Sequence, residues 1–76
     1  SIYIRKGIIM DSLRMFVKKK RKELKLTQED LADNAGVGLR FVRDLEQGKK
    51  TLRLDKVNDI LALFGKEVGV IDQIRE

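Results

Sequence analysis

The sequence predicts a small all-α domain of four to five helices followed by a short C-terminal β-strand. Three observations predict it. Apolar residues recur at helical spacing through most of the 76 residues. Gly36, Gly48 and Gly65 interrupt that pattern where helices would stop. At Lys66-Glu67-Val68-Gly69-Val70-Ile71-Asp72 the period changes to alternation, which suits a strand. With no Pro, no Ser/Gly-rich linker and no internal repeat, one compact unit is expected.

Asp11 or Ser12 can cap a first helix running to about Leu24, with Leu13, Phe16, Val17 and Leu24 on one face. Residues 1–9 read as an upstream extension, because the chain begins with Ser and Met10 precedes that helix start. Thr27-Gln28-Glu29-Asp30 resembles a capping box, with Asp in place of Glu, and opens a second helix that buries Leu31, Ala32 and Ala35. Gly36 stops it and Val37 plugs the core. A third helix is expected from about Gly38 to Gln47, with Val42 and Leu45 inward and Arg40, Arg43, Asp44 and Gln47 outward. After Gly48 and the basic loop Lys49-Lys50, a fourth helix turns Leu54, Val57, Ile60, Leu61 and Phe64 inward and ends at Gly65. Residues 10–65 are then the helical domain and 66–76 a strand and tail. A lone strand cannot satisfy its own backbone, so it must pair either with Ile2-Tyr3-Ile4 or with its mate in a homodimer. The dimer is favoured, with Val68, Val70 and Ile71 at its seam.

Composition narrows function by exclusion. The chain has no Cys and no His, which removes disulfides, Cys/His metal sites, thiol nucleophiles and His-dependent triads. Paired acids such as Glu29/Asp30 and Asp55/Asp59 fall where helix caps and solvated faces predict acids, so neither catalysis nor a metal or other cofactor is expected. No apolar run reaches the roughly 18 residues of a membrane helix, and no signal-peptide pattern is visible. A cytoplasmic protein is the expectation, with no membrane partner and no small-molecule ligand.

The net charge of +5 favours a polyanionic partner, and its distribution says more. Residues 14–25 carry +6 and residues 38–53 carry +3, while the segments between and after them are acidic. Two basic segments separated by an acidic one suggest a single basic face. Two helices joined by a short Gly-containing turn, the second basic and outward-facing, form the arrangement that lays its second helix in a DNA major groove.

At this point the residues resemble a known family. Leu26-Thr27-Gln28-Glu29-Asp30-Leu31-Ala32, then Ala35-Gly36-Val37, then Val42 and Leu45-Glu46-Gln47-Gly48-Lys49 are similar to the phage-repressor (Cro/cI, or XRE) type of helix-turn-helix over roughly residues 13–64. The resemblance implies a lambda-repressor-like fold and binding of double-stranded operator DNA carrying an inverted repeat. The tail Asp59-Ile60-Leu61-Ala62-Leu63-Phe64-Gly65-Lys66-Glu67-Val68-Gly69-Val70 is similar to the HipB-like antitoxin branch. That likeness implies a strand-sewn dimer, autorepression and a HipA-like Ser/Thr kinase toxin as partner.

Carried over residue by residue, the resemblance puts Gly38, Leu39, Arg40 and Arg43 at base-reading positions, with Asp44 beside them. Arg40 is the strongest candidate, since Arg can bond guanine O6 and N7 together; Arg43 can equally hold a phosphate. Gly38 stands where the family often has Ser, and Leu39 replaces a polar reader, able to touch a thymine methyl but not to hydrogen-bond a base. Asp44, four residues after Arg40, either orients that guanidinium, the preferred reading, or accepts from cytosine N4. Gln28 matches a phosphate contact at the start of the second helix, and Thr27, Arg21, Gln47, Lys49, Lys50 and Arg53 are further phosphate candidates. Arg21 and Glu46 match a family ion pair joining the first helix to the third. Three functions compete: an autoregulating antitoxin, a free-standing phage-type repressor, and an interaction module whose main task is toxin neutralisation. A basic module for RNA or an acidic protein is a further alternative, in which Arg40 would be dispensable.

Overall fold

The computed structural model describes the backbone of residues 5–72 and the side chains of residues 12–72. Four helices follow one another: α1 (Arg5–Glu23), α2 (Gln28–Ala35), α3 (Leu39–Glu46) and α4 (Leu54–Ala62). Among the described residues the architecture is all-helical. α2 packs on both α3 and α4, and α1 packs on α3. The core is Val17 from α1, Leu31 and Ala32 from α2, Val42 and Leu45 from α3, and Val57, Ile60 and Leu61 from α4. Around it sit half-buried Leu13, Phe16, Ala35, Val37, Leu39, Phe41, Leu52 and Phe64. Phe16 and Phe64 meet edge to face, ring centroids 5.9 Å apart, which closes α1 onto the end of α4.

Local chemistry sets the helix ends. The capping box forms as the sequence predicts: Asp30 N–H donates to Thr27 Oγ1 (3.0 Å) and Thr27 N–H donates to Asp30 Oδ2 (2.9 Å). Gly36, at φ 72°, takes the left-handed conformation that turns the chain out of α2, and Val37 N–H donates back to Ala32 O. α1 ends by the same device without a glycine. Lys25 stands at φ 58°, with Leu26 N–H donating to Arg21 O (3.0 Å) and Lys25 N–H to Lys22 O (3.0 Å). Lys20, Arg21 and Lys22 in the last turn of α1 suit its negative end.

Four expectations are corrected here. α1 begins at Arg5, upstream of Asp11 and Ser12, which lie inside the helix; once a helix is nucleated, extension by residues other than Gly and Pro costs little, and the added stretch holds Gly7 alone of these. Leu24 is 58% exposed because it sits in the terminating turn, beyond the last residue that follows the helical face. Leu54 is 63% exposed as the first residue of α4, one turn before that face meets the core. Residues 66–72 form no strand. An extended segment becomes a strand only against a partner, and here Val68 N–H donates to the side chain of Asn58 (2.7 Å) while Val70 and Ile71 stand exposed. The alternative partner Ile2-Tyr3-Ile4 lies outside the described residues.

One ion pair ties three helices together. Arg21 of α1 holds Glu46 of α3 with both ends of its fork, Nε to Oε2 at 2.7 Å and Nη2 to Oε1 at 3.0 Å, and its Nη1 donates to Leu26 O at 2.9 Å. Gln28 of α2 donates to Glu46 Oε1 at 3.3 Å. Glu46 is a buried carboxylate, so removing it strands a nearly buried guanidinium. Glu46→Ala is therefore expected to destabilise the domain by roughly 3 kcal/mol in urea unfolding, while Glu46→Gln, which keeps one acceptor, costs less.

Candidate nucleic-acid interface

The outward side of α3 is polar while its inner side holds Val42, Leu45 and Glu46 in the interior. Arg40 is 89% exposed, and Arg43 and Gln47 continue the same face by helical spacing. Gly48, at φ 81°, turns the chain so that Lys49 and Lys50 extend this surface beyond the helix. The aliphatic part of Arg14 from α1 lies against that turn: a Cβ on Gly48 would come within 3.3 Å of Arg14 Cδ. The backbone conformation at position 48 thus favours glycine, and the side chain of Arg14 from α1 lies close beside the exit of α3.

A shallow open groove, lined by Thr27, Gln28, Glu29, Leu39 and Arg43, separates the start of α2 from α3. The unshared N–H groups of the first turn of α2 make its rim a favourable place for an anion. The Gln28 amide spends one hydrogen on Glu46 and keeps a second for an outside acceptor. Leu39 forms one wall while its inner side packs on the core, so it contributes shape as well as contact. Gly38 caps α3 without a side-chain bond, and open space surrounds its missing Cβ.

The other sequence-predicted residues divide sharply. Arg21 is only 12% exposed, and its guanidinium is engaged with Glu46 and Leu26 O. The hydrogen bonding of Arg21 to the accepting Glu46 carboxylate, helped by that group's charge and opposed by burial, raises the Arg21 pKa above its ordinary value. Arg53 lies past the loop and makes two hydrogen bonds to Asp55 (2.7 and 3.2 Å), which lower the Asp55 pKa. Asp44 pairs loosely with Arg40 across one turn, at 3.7 Å. Val68, Val70 and Ile71 stand exposed on the C-terminal segment. Lys49 lies 3.5 Å from Asp44, and Lys56 sits over the ring of Phe41 from α3 at 6.0 Å. Sequence reading missed both contacts, along with the Arg14 contact and the Gln28–Glu46 bond. None follows a helical repeat, so no local pattern signals them. Among the described residues no cluster of acids could hold a metal ion, and no helix is long and apolar enough to cross a membrane.

The sequence model of the helix-turn-helix family matches residues 17–71, from the middle of α1 through the segment after α4. The chain belongs to the helix-turn-helix family, in its Cro/cI (XRE) type. Within that family it is 47% identical over 51 residues to a protein of Sinorhizobium fredii (strain NGR234), described as an uncharacterized HTH-type transcriptional regulator, y4mF. The aligned region covers 67% of each chain. No solved structure matches the chain. The helix-turn-helix of this regulator is α2 and α3, and α3 stands in the recognition position of a DNA-binding motif.

The cap that positions the α2 terminus is sensitive to acid. Hydrogen bonds from the Thr27 backbone and hydroxyl hold the Asp30 carboxylate below its ordinary pKa. A group depressed in the folded state stabilises fully above its unfolded value, about 3.9, and loses that contribution as pH falls through the folded value. Urea midpoints measured from pH 5 down to 2.5 should therefore decline less steeply in Asp30→Asn than in the wild type. Equal slopes would show that the cap carries no linked proton.

Proposed function

We propose that this helix-turn-helix regulator is a sequence-specific repressor, acting as a homodimer in the cytoplasm on an operator with an inverted repeat, and that it is not an enzyme. The observation that carries the reading is the outer face of α3. Arg40 and Arg43 project from it, Lys49 and Lys50 flank it, and Glu46 ties its inner side to α1 and α2. A rigidly held helix with protruding arginines suits base-edge recognition, and flanking lysines suit phosphate. In this reading Gly38, Leu39, Arg40, Arg43 and Asp44 meet the groove. Thr27, Gln28, Gln47, Lys49 and Lys50 meet the backbone, with Arg53 joining them if it exchanges Asp55 for a phosphate. Repression follows from occlusion of the operator.

Dimerisation is supported by the apolar exposure of the C-terminal segment, where Leu63, Val68, Val70 and Ile71 are 44%, 39%, 102% and 75% exposed. A second copy covering these residues is the proposed partner, and reading an inverted repeat requires the two α3 helices to lie about one DNA turn apart, or a multiple of it. The finer assignment, to an autoregulating antitoxin that binds a HipA-like kinase, is supported by the likeness of the tail alone. A kinase gene beside this one, with co-purification of the two products, would favour the antitoxin over a free-standing repressor. A main role in toxin neutralisation would leave operator affinity secondary to the kinase complex.

Selection from a random duplex library at about 0.15 M salt tests the central reading, because non-specific phosphate binding is weak there. An enriched palindrome is the expected result; absence of enrichment, despite binding at low salt, would sink it. On the selected duplex, Arg40→Ala should cost about 1–3 kcal/mol of discrimination at one base pair. Lys50→Ala should weaken all duplexes alike and reduce the salt slope by about one unit.

A further inference from the structure

On the outer side of α3 an acid sits among cations, and the fold surrounds it more completely than the sequence suggests. Arg40 Nε lies 3.7 Å from Asp44 Oδ1. Lys49 Nζ approaches from the turn beyond the helix, 3.5 Å from Oδ2. Its approach is set by the backbone, since Lys49 N–H also donates to Asp44 O at 3.0 Å. The Asp44 side chain is 21% exposed, against 89% for Arg40 and 51% for Lys49. The carboxylate is therefore recessed, and its two cations stand outside it.

We infer that Asp44 is a specificity-determining positioning residue, which holds Arg40 by its Nε edge for guanine and offsets part of the Lys49 charge that meets phosphate. The inference rests on the reading of α3 as the groove-reading helix. A guanidinium carries one hydrogen on Nε and four on its two Nη atoms. With Nε turned to the carboxylate, the edge left for an outside acceptor is the Nη1/Nη2 fork, whose two parallel N–H groups match O6 and N7 of guanine. Arg40 can make that contact without leaving Asp44. Lys49, 3.5 Å from Oδ2, has part of its charge offset by Asp44, so its pull on a phosphate is weakened. The acid thus weakens backbone binding to every sequence while sparing the contact of Arg40 with guanine. A unit charge near several phosphates in screened water is worth roughly three- to tenfold in affinity.

The test compares wild type, Asp44→Asn, Arg40→Ala, the double variant and Lys49→Ala. Each is titrated against the selected operator, the same operator with individual guanines replaced, and a random-sequence duplex, between about 0.05 and 0.2 M salt. Asp44→Asn is expected to bind the random duplex roughly three- to tenfold more tightly, to change less on the operator, and to lose part of the guanine preference. Arg40→Ala and the double variant should then share one weak preference. Lys49→Ala, which keeps the Asp44–Arg40 pair, should retain the guanine preference and weaken all duplexes together. If Asp44→Asn alters operator and random duplex by the same factor with the guanine preference intact, the inference is overturned. If wild type itself binds operator and random duplex equally, the reading of α3 fails instead, and the inference with it.

Discussion

The pair between Arg21 and Glu46 is the constraint on which the orientation of α3 depends. Apolar contacts from Val42 and Leu45 hold the helix against the core, but such contacts are non-directional and tolerate small rotations. A bidentate guanidinium–carboxylate pair does not. Its second carboxylate oxygen also receives Gln28, and its spare guanidinium nitrogen holds Leu26 O, so α1, the turn, α2 and α3 share one network. Desolvation offsets much of the attraction in such a pair, so its contribution is registration more than net stability. Registration is what a helix needs if a few protruding side chains are to meet base edges.

α2 and α3 have eight residues each, too short to persist alone in water. Their ends must therefore be set by neighbours and caps. Thr27 and Asp30 open α2, and Gly36 turns it toward α3. Gly48, close beside Arg14, releases the chain so that Lys49 and Lys50 continue the outer face. The same turn brings Lys49 to Asp44. Backbone geometry at one glycine thereby brings the second cation, Lys49, to the acid that already pairs with Arg40 within α3.

Helix positions apart from the start of α1, the capping box and the Gly36 turn were legible because each has a short-range signal: a period, a spacing of three residues, a residue that tolerates positive φ. The Arg21–Glu46 pair was legible only through the family resemblance, since 25 residues separate its partners. The left-handed Lys25 had no signal, because its conformation is imposed by the two bonds that close α1 and not by its side chain. Leu24 and Leu54 misled for a related reason. Each fits an apolar period, yet each lies at a helix end where the face no longer points at the core. Val68-Gly69-Val70 alternates as a strand does, but alternation specifies a face and not a partner. In the candidate interface the residue types were legible and their couplings were not, as Asp44 with Lys49 and Gln28 with Glu46 show.

Net charge also overstates the interface. The most basic stretch, residues 14–25, belongs to α1 and its closing turn, where Arg21 is committed to Glu46, and Lys20 to Glu23 and the ring of Phe16. Lys18, Lys19 and Lys22 line a shallow groove with Met15 on the outer side of that helix, away from the face that packs on α3. These lysines act on a polyanion through their field, which fades over about 8 Å at physiological salt. They can speed encounter without discriminating between sequences. Discrimination needs contact and fixed geometry, and among the exposed cations Arg40 has a carboxylate to orient it on a helix that is itself tied at its inner side. The freely exposed lysines of α1 and the oriented arginine of α3 thus lie on different helices, and the buried Glu46 carboxylate ties those two helices together.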